Sequence, residues 1–348
     1  MIESEPRVNY RDCGAVLVNP GILPRLARVD TLIFDIDGVI MDVTRSIRVV
    51  GCEAVRVYLT QLRGWPDSGV FVEPAEVELY RLADGFNDDW ELAGINVLTY
   101  LVKSELTGSK NAAALRAAPP SIADLADAAR QSRGGVPFAR QKLLDLLAGG
   151  APPRSGARER VLAQWDYSKI VQVFQELYAG EDHCYAFYGY HPQYVHAPGR
   201  IALDRPLIRR GGLPAGVTKY GVYSGRTWQE TRAALEMAGI ADLFTRERVI
   251  VVDDGMVKPD PRGLTTLVER MDATAAVFIG DMPDDREAVR RCRASRADDA
   301  PEVFDCLVLS GPMGGRSDEE IRAAGADVIA PDVNVFMEWW AGVRGEGS

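Results

Sequence analysis

The chain has 348 residues and a formal net charge of −10, from 40 Lys and Arg against 50 Asp and Glu. That length suits one large or two moderate domains with a sizeable core, and an acidic balance without clustered basic residues argues against a nucleic-acid surface, because phosphate backbones are held by concentrated positive charge. Five dispersed cysteines without a C-x-x-C pair argue against a disulfide framework or zinc knuckle, no apolar stretch is long enough to span a bilayer, and the polar, acidic start lacks a signal peptide's features, so a cytoplasmic, reducing setting without membrane partners is expected.

In chain order, Ala15, Val16, Leu17 and Val18 form a short apolar run closed by the turn signal Asn19-Pro20-Gly21, which reads as an extra edge strand or an ordered arm. Thr31, Leu32, Ile33 and Phe34 suit a central parallel strand covered on both faces. Asp35, Asp37 and Gly38 follow it, and the glycine lets the chain turn at once. Ile47, Val50, Ala54, Val57 and Tyr58 then recur at helical spacing. Further helices are predicted at about 74–83, 90–106, 122–130, 138–147 and 159–178, separated by Gly- and Pro-rich punctuation, with Gly180 stopping the last. Residues 46–204 therefore read as a mainly helical block between the first central strand and the rest of the sheet. Strands resume at about 220–223, 249–252, 275–280 and 306–310, alternating with helices at about 227–237, 261–271, 285–294 and 318–324. Two of those helices open on capping boxes, Thr227 with Glu230 and Ser317 with Glu320. Such alternation predicts an α/β fold with a doubly wound parallel sheet.

Four of the predicted strands end in residues that carry chemistry. Ligands of open parallel sheets bind beyond the carboxyl ends of the strands. The first end holds Asp35 and Asp37, although an ordinary loop cap would explain an isolated pair as well. The second holds Ser224 on a Gly225 turn at a helix start, where a hydroxyl and free amides suit an oxyanion or phosphate. Arg226 follows. The third places Lys258 in a proline-bracketed loop, Lys258-Pro259-Asp260-Pro261, and the fourth gathers Asp281, Asp284 and Asp285. So many carboxylates repel one another unless a cation sits among them, and hard oxygen donors suit magnesium.

In this order, D-x-D-G-V, a strand-end serine, K-P-D-P and G-D-x-x-D-D resemble the motifs of the haloacid dehalogenase (HAD) superfamily, and more narrowly subfamily IA. The resemblance covers residues 31–43 and 216–309. It implies a Rossmann-like core of residues 1–45 and 205–348, with residues 46–204 as an inserted C1 cap. It further implies a Mg2+-dependent hydrolase of phosphoric monoesters. Asp35 would be nucleophile and metal ligand, and Asp37 general acid and base and a ligand through its carbonyl. Ser224 would hold phosphoryl oxygens, with Gly225 and Arg226 in the same substrate-binding loop, and Lys258 would neutralise charge. Asp281 and Asp285 would hold the metal directly or through water, the family spacing favouring Asp285 over Asp284. Dehalogenases of the superfamily lack an acid at the position of Asp37, so its presence favours phosphoryl transfer.

Outside these motifs, Asn87, Asp88, Asp89 and Trp90 form a polar cluster that would reach a substrate leaving group or cap the next helix. His183, His191 and His196 fall in one aromatic-rich segment that reads as packed or substrate-lining rather than as a zinc site, because no established ligand spacing is present. The expected partner is a small phosphorylated metabolite, and a homo-oligomer is compatible with the sequence. A phosphomutase and a non-catalytic phosphometabolite-binding or regulatory protein are the competing readings.

Overall fold

The computed structural model describes residues 8–346 apart from 84, 87, 133, 149–154, 215, 216, 218, 298 and 299. Its strands are β1 (Arg11–Asp12), β2 (Leu17–Val18), β3 (Thr31–Phe34), β4 (Met41–Asp42), β5 (Arg205–Pro206), β6 (Lys219–Tyr223), β7 (Val249–Ile250), β8 (Ala275–Gly280), β9 (Glu302–Val308) and β10 (Val328–Ala330). Eight of them form one sheet in the order β1-β2-β10-β9-β8-β3-β6-β7. All neighbours from β10 to β7 are parallel, and β2 and β1 add an antiparallel edge.

The strand order explains where a site can form. From β3 the chain builds outward on one side through β6 and β7, then crosses to build β8, β9 and β10 on the other. The β3 tip is therefore the topological switch point, where diverging crossovers leave a crevice. Phe34 is in register with Val222 of β6 and with Ile279 of β8, so the loops after these three strands start level with one another. Every residue of β3 is buried, as a strand covered on both faces requires.

Contacts divide the chain into two compact units. One holds the residues up to Asp42 and from Arg205 onward, and the other is Val43–Asp204. The second is helical throughout its main elements, with Ile47–Val57, Asp89–Thr107 and Tyr167–Tyr188 among the longest. Asp204 closes it, accepting hydrogen bonds from Ser46 Oγ and, at 2.9 Å, from Tyr178 Oη. No helix among the described residues is long and apolar enough to cross a membrane.

Several boundaries differ from the sequence expectation. The helix expected over 159–178 is two, Ala157–Gln164 and Tyr167–Tyr188, because the Asp166 side chain caps a new start by accepting from the Lys169 N–H. Gly180 is non-helical, with φ +65° and ψ −174°, so it ends the first run of the second helix as expected, in a conformation that favours glycine, and helical turns resume directly after it. These turns absorb half of the segment expected to be an aromatic loop. The end of the 15–18 run becomes β2, a strand one place in from the sheet's antiparallel edge, while β10 and the C-terminal helix Val333–Glu346 went unpredicted.

Asp305 of β9 and Asp327, directly before β10, form a buried reciprocal pair. The Asp305 N–H donates to Asp327 Oδ2 at 3.1 Å, the Asp327 N–H reaches Asp305 Oδ1 at 3.4 Å, and Arg293 bonds Asp327. Burial, reinforced by the nearby Asp327 charge and opposed by Arg293, pushes the Asp305 carboxyl up to about 8. A carboxyl with a raised folded-state pKa binds more protons when folded, so its contribution to stability is present at low pH and lost as pH rises between about 4 and 8. Asp305→Asn should therefore flatten the fall in melting temperature between pH 5 and 9, relatively stabilising the alkaline end by on the order of 1 kcal/mol or more. Thermal melts across that range would show it, and parallel curves for the two proteins would contradict it.

Candidate active site

The site is built from the loops that leave β3, β6, β7, β8 and β9. Asp35 continues the ladder of β3, its N–H donating to Ile279 O at 2.9 Å, and its Oδ1 accepts the Ile36 N–H at 2.7 Å. Gly38 turns the chain with φ +73°. From the loop beyond β7, Lys258 reaches in so that Nζ lies 2.8 Å from Asp35 Oδ2 and 2.7 Å from Asp285 Oδ1. All three side chains are buried. Pro261 opens the helix Pro261–Arg270 directly behind, with Asp260 as its cap, which fixes the stem of the lysine loop.

After β8, Asp285 sits in the first turn of the helix Pro283–Ser295. Its Oδ2 accepts the N–H groups of Asp281 at 3.1 Å and Met282 at 3.0 Å. Asp285 thus orients both Lys258 and the backbone that carries Asp281. Asp284 is buried beside it but does not join the cluster in which ligand oxygens of Asp35, Asp281 and Asp285 lie within 4.8 Å of one another.

Ser224 follows β6, its N–H bonded to Ile250 O at 3.0 Å. Its buried Oγ accepts the Arg226 N–H at 3.3 Å. Gly225 is exposed at the turn, and Thr227 caps the helix Trp228–Met237 through the expected box with Glu230. The Arg226 guanidinium turns inward instead of standing open, with Nε 2.9 Å and Nη2 2.6 Å from Asp37 Oδ1.

Electrostatics follow from this crowding. Burial works against the Lys258 ammonium, but Asp285 and Asp35 outweigh it and raise its pKa, so it stays charged. Burial likewise raises Asp35; Lys258 pulls it down, while Asp285 and Asp37 push it further up. Asp35, Asp37, Asp281 and Asp285 crowd around Lys258 and Arg226, an excess of negative charge that a divalent cation offsets. The donors are hard oxygens, and space is kept for one of them: a Cβ added at Gly38 would stand 2.0 Å from Asp281 Oδ2, and one at Gly311 1.8 Å. The residues present fit a magnesium-sized cation.

The loop after β9 was missed from the sequence. Ser310 Oγ donates to Gly38 O at 2.6 Å, and Gly311 packs on Asp281. The run Ser310-Gly311-Pro312 at a strand end was the available signal. Asn87 lies outside the described residues. Asp88 is a helix cap, accepting the N–H groups of Trp90 at 2.7 Å and Glu91 at 3.2 Å. Among the described residues, the three histidines form no metal-ligand group; Tyr185 stacks on His191 at 4.9 Å and Phe187 on His183 at 5.4 Å.

No family model and no curated protein matches the sequence. Solved structures do. The phosphatase Tt82 from Thermococcus thioreducens is 24% identical, with 89% of this chain and 98% of that one covered and a TM-score of 0.53. A structural-genomics target is 14% identical over 88% of this chain and 96% of its own, at 0.51. A HAD family hydrolase from Deinococcus radiodurans R1 is 13% identical over 91% and 98%, at 0.38. The chain shares its α/β fold with the Tt82 phosphatase structure. At these identities the likeness is one of fold. In this core, Asp35, Lys258, Asp281 and Asp285 come together as one buried group, and Asp37 stands apart from them on Arg226.

Proposed function

We propose that the chain is a magnesium-dependent phosphatase of a small phosphomonoester, working through an aspartyl phosphate on Asp35. The observation that carries this reading is the buried Asp35 carboxylate held 2.8 Å from Lys258 Nζ at the sheet's switch point, with a second acid two residues on. A carboxylate so placed is a nucleophile with a fixed countercharge. An Asp35 oxygen forms the bond to phosphorus as the bond to the leaving oxygen breaks. Asp37 gives that oxygen a proton and then takes one from the water that attacks phosphorus, releasing inorganic phosphate and restoring Asp35. Lys258 and the Ser224 loop neutralise and orient the phosphoryl oxygens. Asp35, Asp281 and the Asp37 carbonyl would hold the cation, with Asp285 acting directly or through water. When bound, Mg2+ supplies charge neutralisation and orientation of the phosphoryl group. All five cysteines are free, which suits the cytoplasmic setting proposed with this function.

Phosphate release from a panel of phosphorylated metabolites tests the reading. Release should need a divalent cation, vanish with EDTA and return with excess Mg2+. Release undiminished by chelation would contradict the metal requirement, and movement of phosphate within the substrate without release would make the enzyme a mutase.

A further inference from the structure

Arg226 looks from the sequence like a ligand for substrate anions, yet its side chain is only 3% exposed, against 25% for Asp37. Arginine is favoured at anion sites because its planar fork offers several donors at once. Here two of those donors converge on one internal oxygen, Asp37 Oδ1, at 2.9 and 2.6 Å, while Asp37 Oδ2 accepts no hydrogen bond among the described residues. A buried arginine costs desolvation that only well-placed partners repay, so the pairing with Asp37 is a reason for this side chain to be inside.

Both ends of the contact are anchored. The Arg226 N–H is tied to Ser224 Oγ at 3.3 Å, its carbonyl accepts the Val252 N–H at 3.1 Å, and Thr227 next to it opens a capped helix. On the other side, the turn carrying Asp37 is pinned by the Gly38 N–H on Met41 O at 2.8 Å and by Ser310 on Gly38 O. The guanidinium is thus a fixed post between the loops after β3, β6 and β7.

We infer that Arg226 is a positioning residue for proton transfer and not a substrate ligand: it grips Asp37 by Oδ1 and so presents Oδ2 to the leaving oxygen. The inference rests on the phosphatase reading, in which Asp37 is the general acid. It also gives that acid a defined working oxygen. A proton-transfer group displaced by about 1 Å can cost roughly 100-fold in rate, and the whole contribution of a general acid is about 10²–10⁴-fold.

Leaving-group dependence separates this role from phosphate binding or simple structural support. An alkoxide leaves only if it is protonated, whereas p-nitrophenolate leaves without help. The first irreversible step, cleavage of the ester bond, governs kcat/KM. Arg226→Ala should therefore lower kcat/KM for an alkyl phosphate by about 10- to 100-fold and for p-nitrophenyl phosphate by no more than about 3-fold. Competitive inhibition by inorganic phosphate should stay at the native value, and added guanidinium should restore part of the alkyl phosphate rate. Arg226→Lys, which keeps a cation beside Asp37, should fall in between and serves if the alanine variant does not fold. In an Asp37→Ala background, Arg226→Ala should add nothing.

Equal losses on both substrates, or weakened phosphate inhibition with the alkyl-to-aryl ratio unchanged, would overturn the inference while the native enzyme's activity left the phosphatase reading standing. A native protein that releases phosphate from neither substrate would overturn that reading and this inference with it.

Discussion

Asp35→Asn should abolish phosphate release, by on the order of 10⁴-fold or more, the scale on which removal of a covalent nucleophile acts, while leaving the protein folded. Asparagine has nearly the same shape, and its amide oxygen still accepts the Ile36 N–H that Asp35 Oδ1 takes at 2.7 Å. What disappears is the oxygen anion that would attack phosphorus. Lys258 keeps a partner in Asp285 at 2.7 Å, so the substitution does not strand a buried cation. Burial, with Asp285 and Asp37 adding to it, already raises the Asp35 carboxyl against the pull of Lys258, so removing this charge relieves crowding. The melting temperature should accordingly be unchanged or higher without added metal. Activity and thermal melts on the same preparation check both halves of the expectation. A variant keeping a tenth of native turnover would sink the aspartyl phosphate, and a variant that no longer melts cooperatively would show that Asp35 is needed for folding instead.

How much of this was legible in advance depended on whether a residue's role is local. Thr31 to Phe34 announce a buried strand, and Asp35, Ser224 and Asp281 each follow such a strand directly, so their places at the sheet's tip could be read along the chain. The structure sets Asp35, Asp281 and Asp285 within ligand reach of one another, a proximity the sequence suggested only through family spacing. The contact of Arg226 with Asp37 was not legible because the two lie 189 residues apart. No local pattern tells an arginine that reaches for a substrate from one that reaches for a carboxylate across the sheet. The two-helix break at Asp166 was blurred for a related reason. A capping side chain decides it, and apolar periodicity runs straight through.

Gly311 was invisible because its role is to have no side chain. Its backbone, φ −106° and ψ −155°, is open to any residue, so Gly311→Ala adds no backbone strain. The new methyl would nevertheless fall 1.8 Å from Asp281 Oδ2 and 2.6 Å from its Cγ. The flanks of Asp281 leave little room to yield, since Gly38 packs on the same carboxylate and Ser310 ties Gly38 O to the Gly311 loop at 2.6 Å. Either Asp281 rotates out of the cluster, which removes a carboxylate from the place where a cation would sit, or the loop after β9 lifts away and loosens the Ser310 tie on the turn that carries Asp37. Gly311→Ala should therefore raise the Mg2+ concentration for half-maximal activity by about 10- to 100-fold, as loss of a group that orients metal ligands does, at a stability cost of about 1–3 kcal/mol for overpacking. Gly315→Ala in the same loop is the matched control, because its Cβ would meet nothing within 4 Å, and it should behave as native. Magnesium titrations of activity, with calorimetric binding of the metal alone, decide the matter. Native Mg2+ dependence in Gly311→Ala would mean that the Asp281 carboxylate does not need the space between the two glycines, and its assignment as a metal ligand would fall.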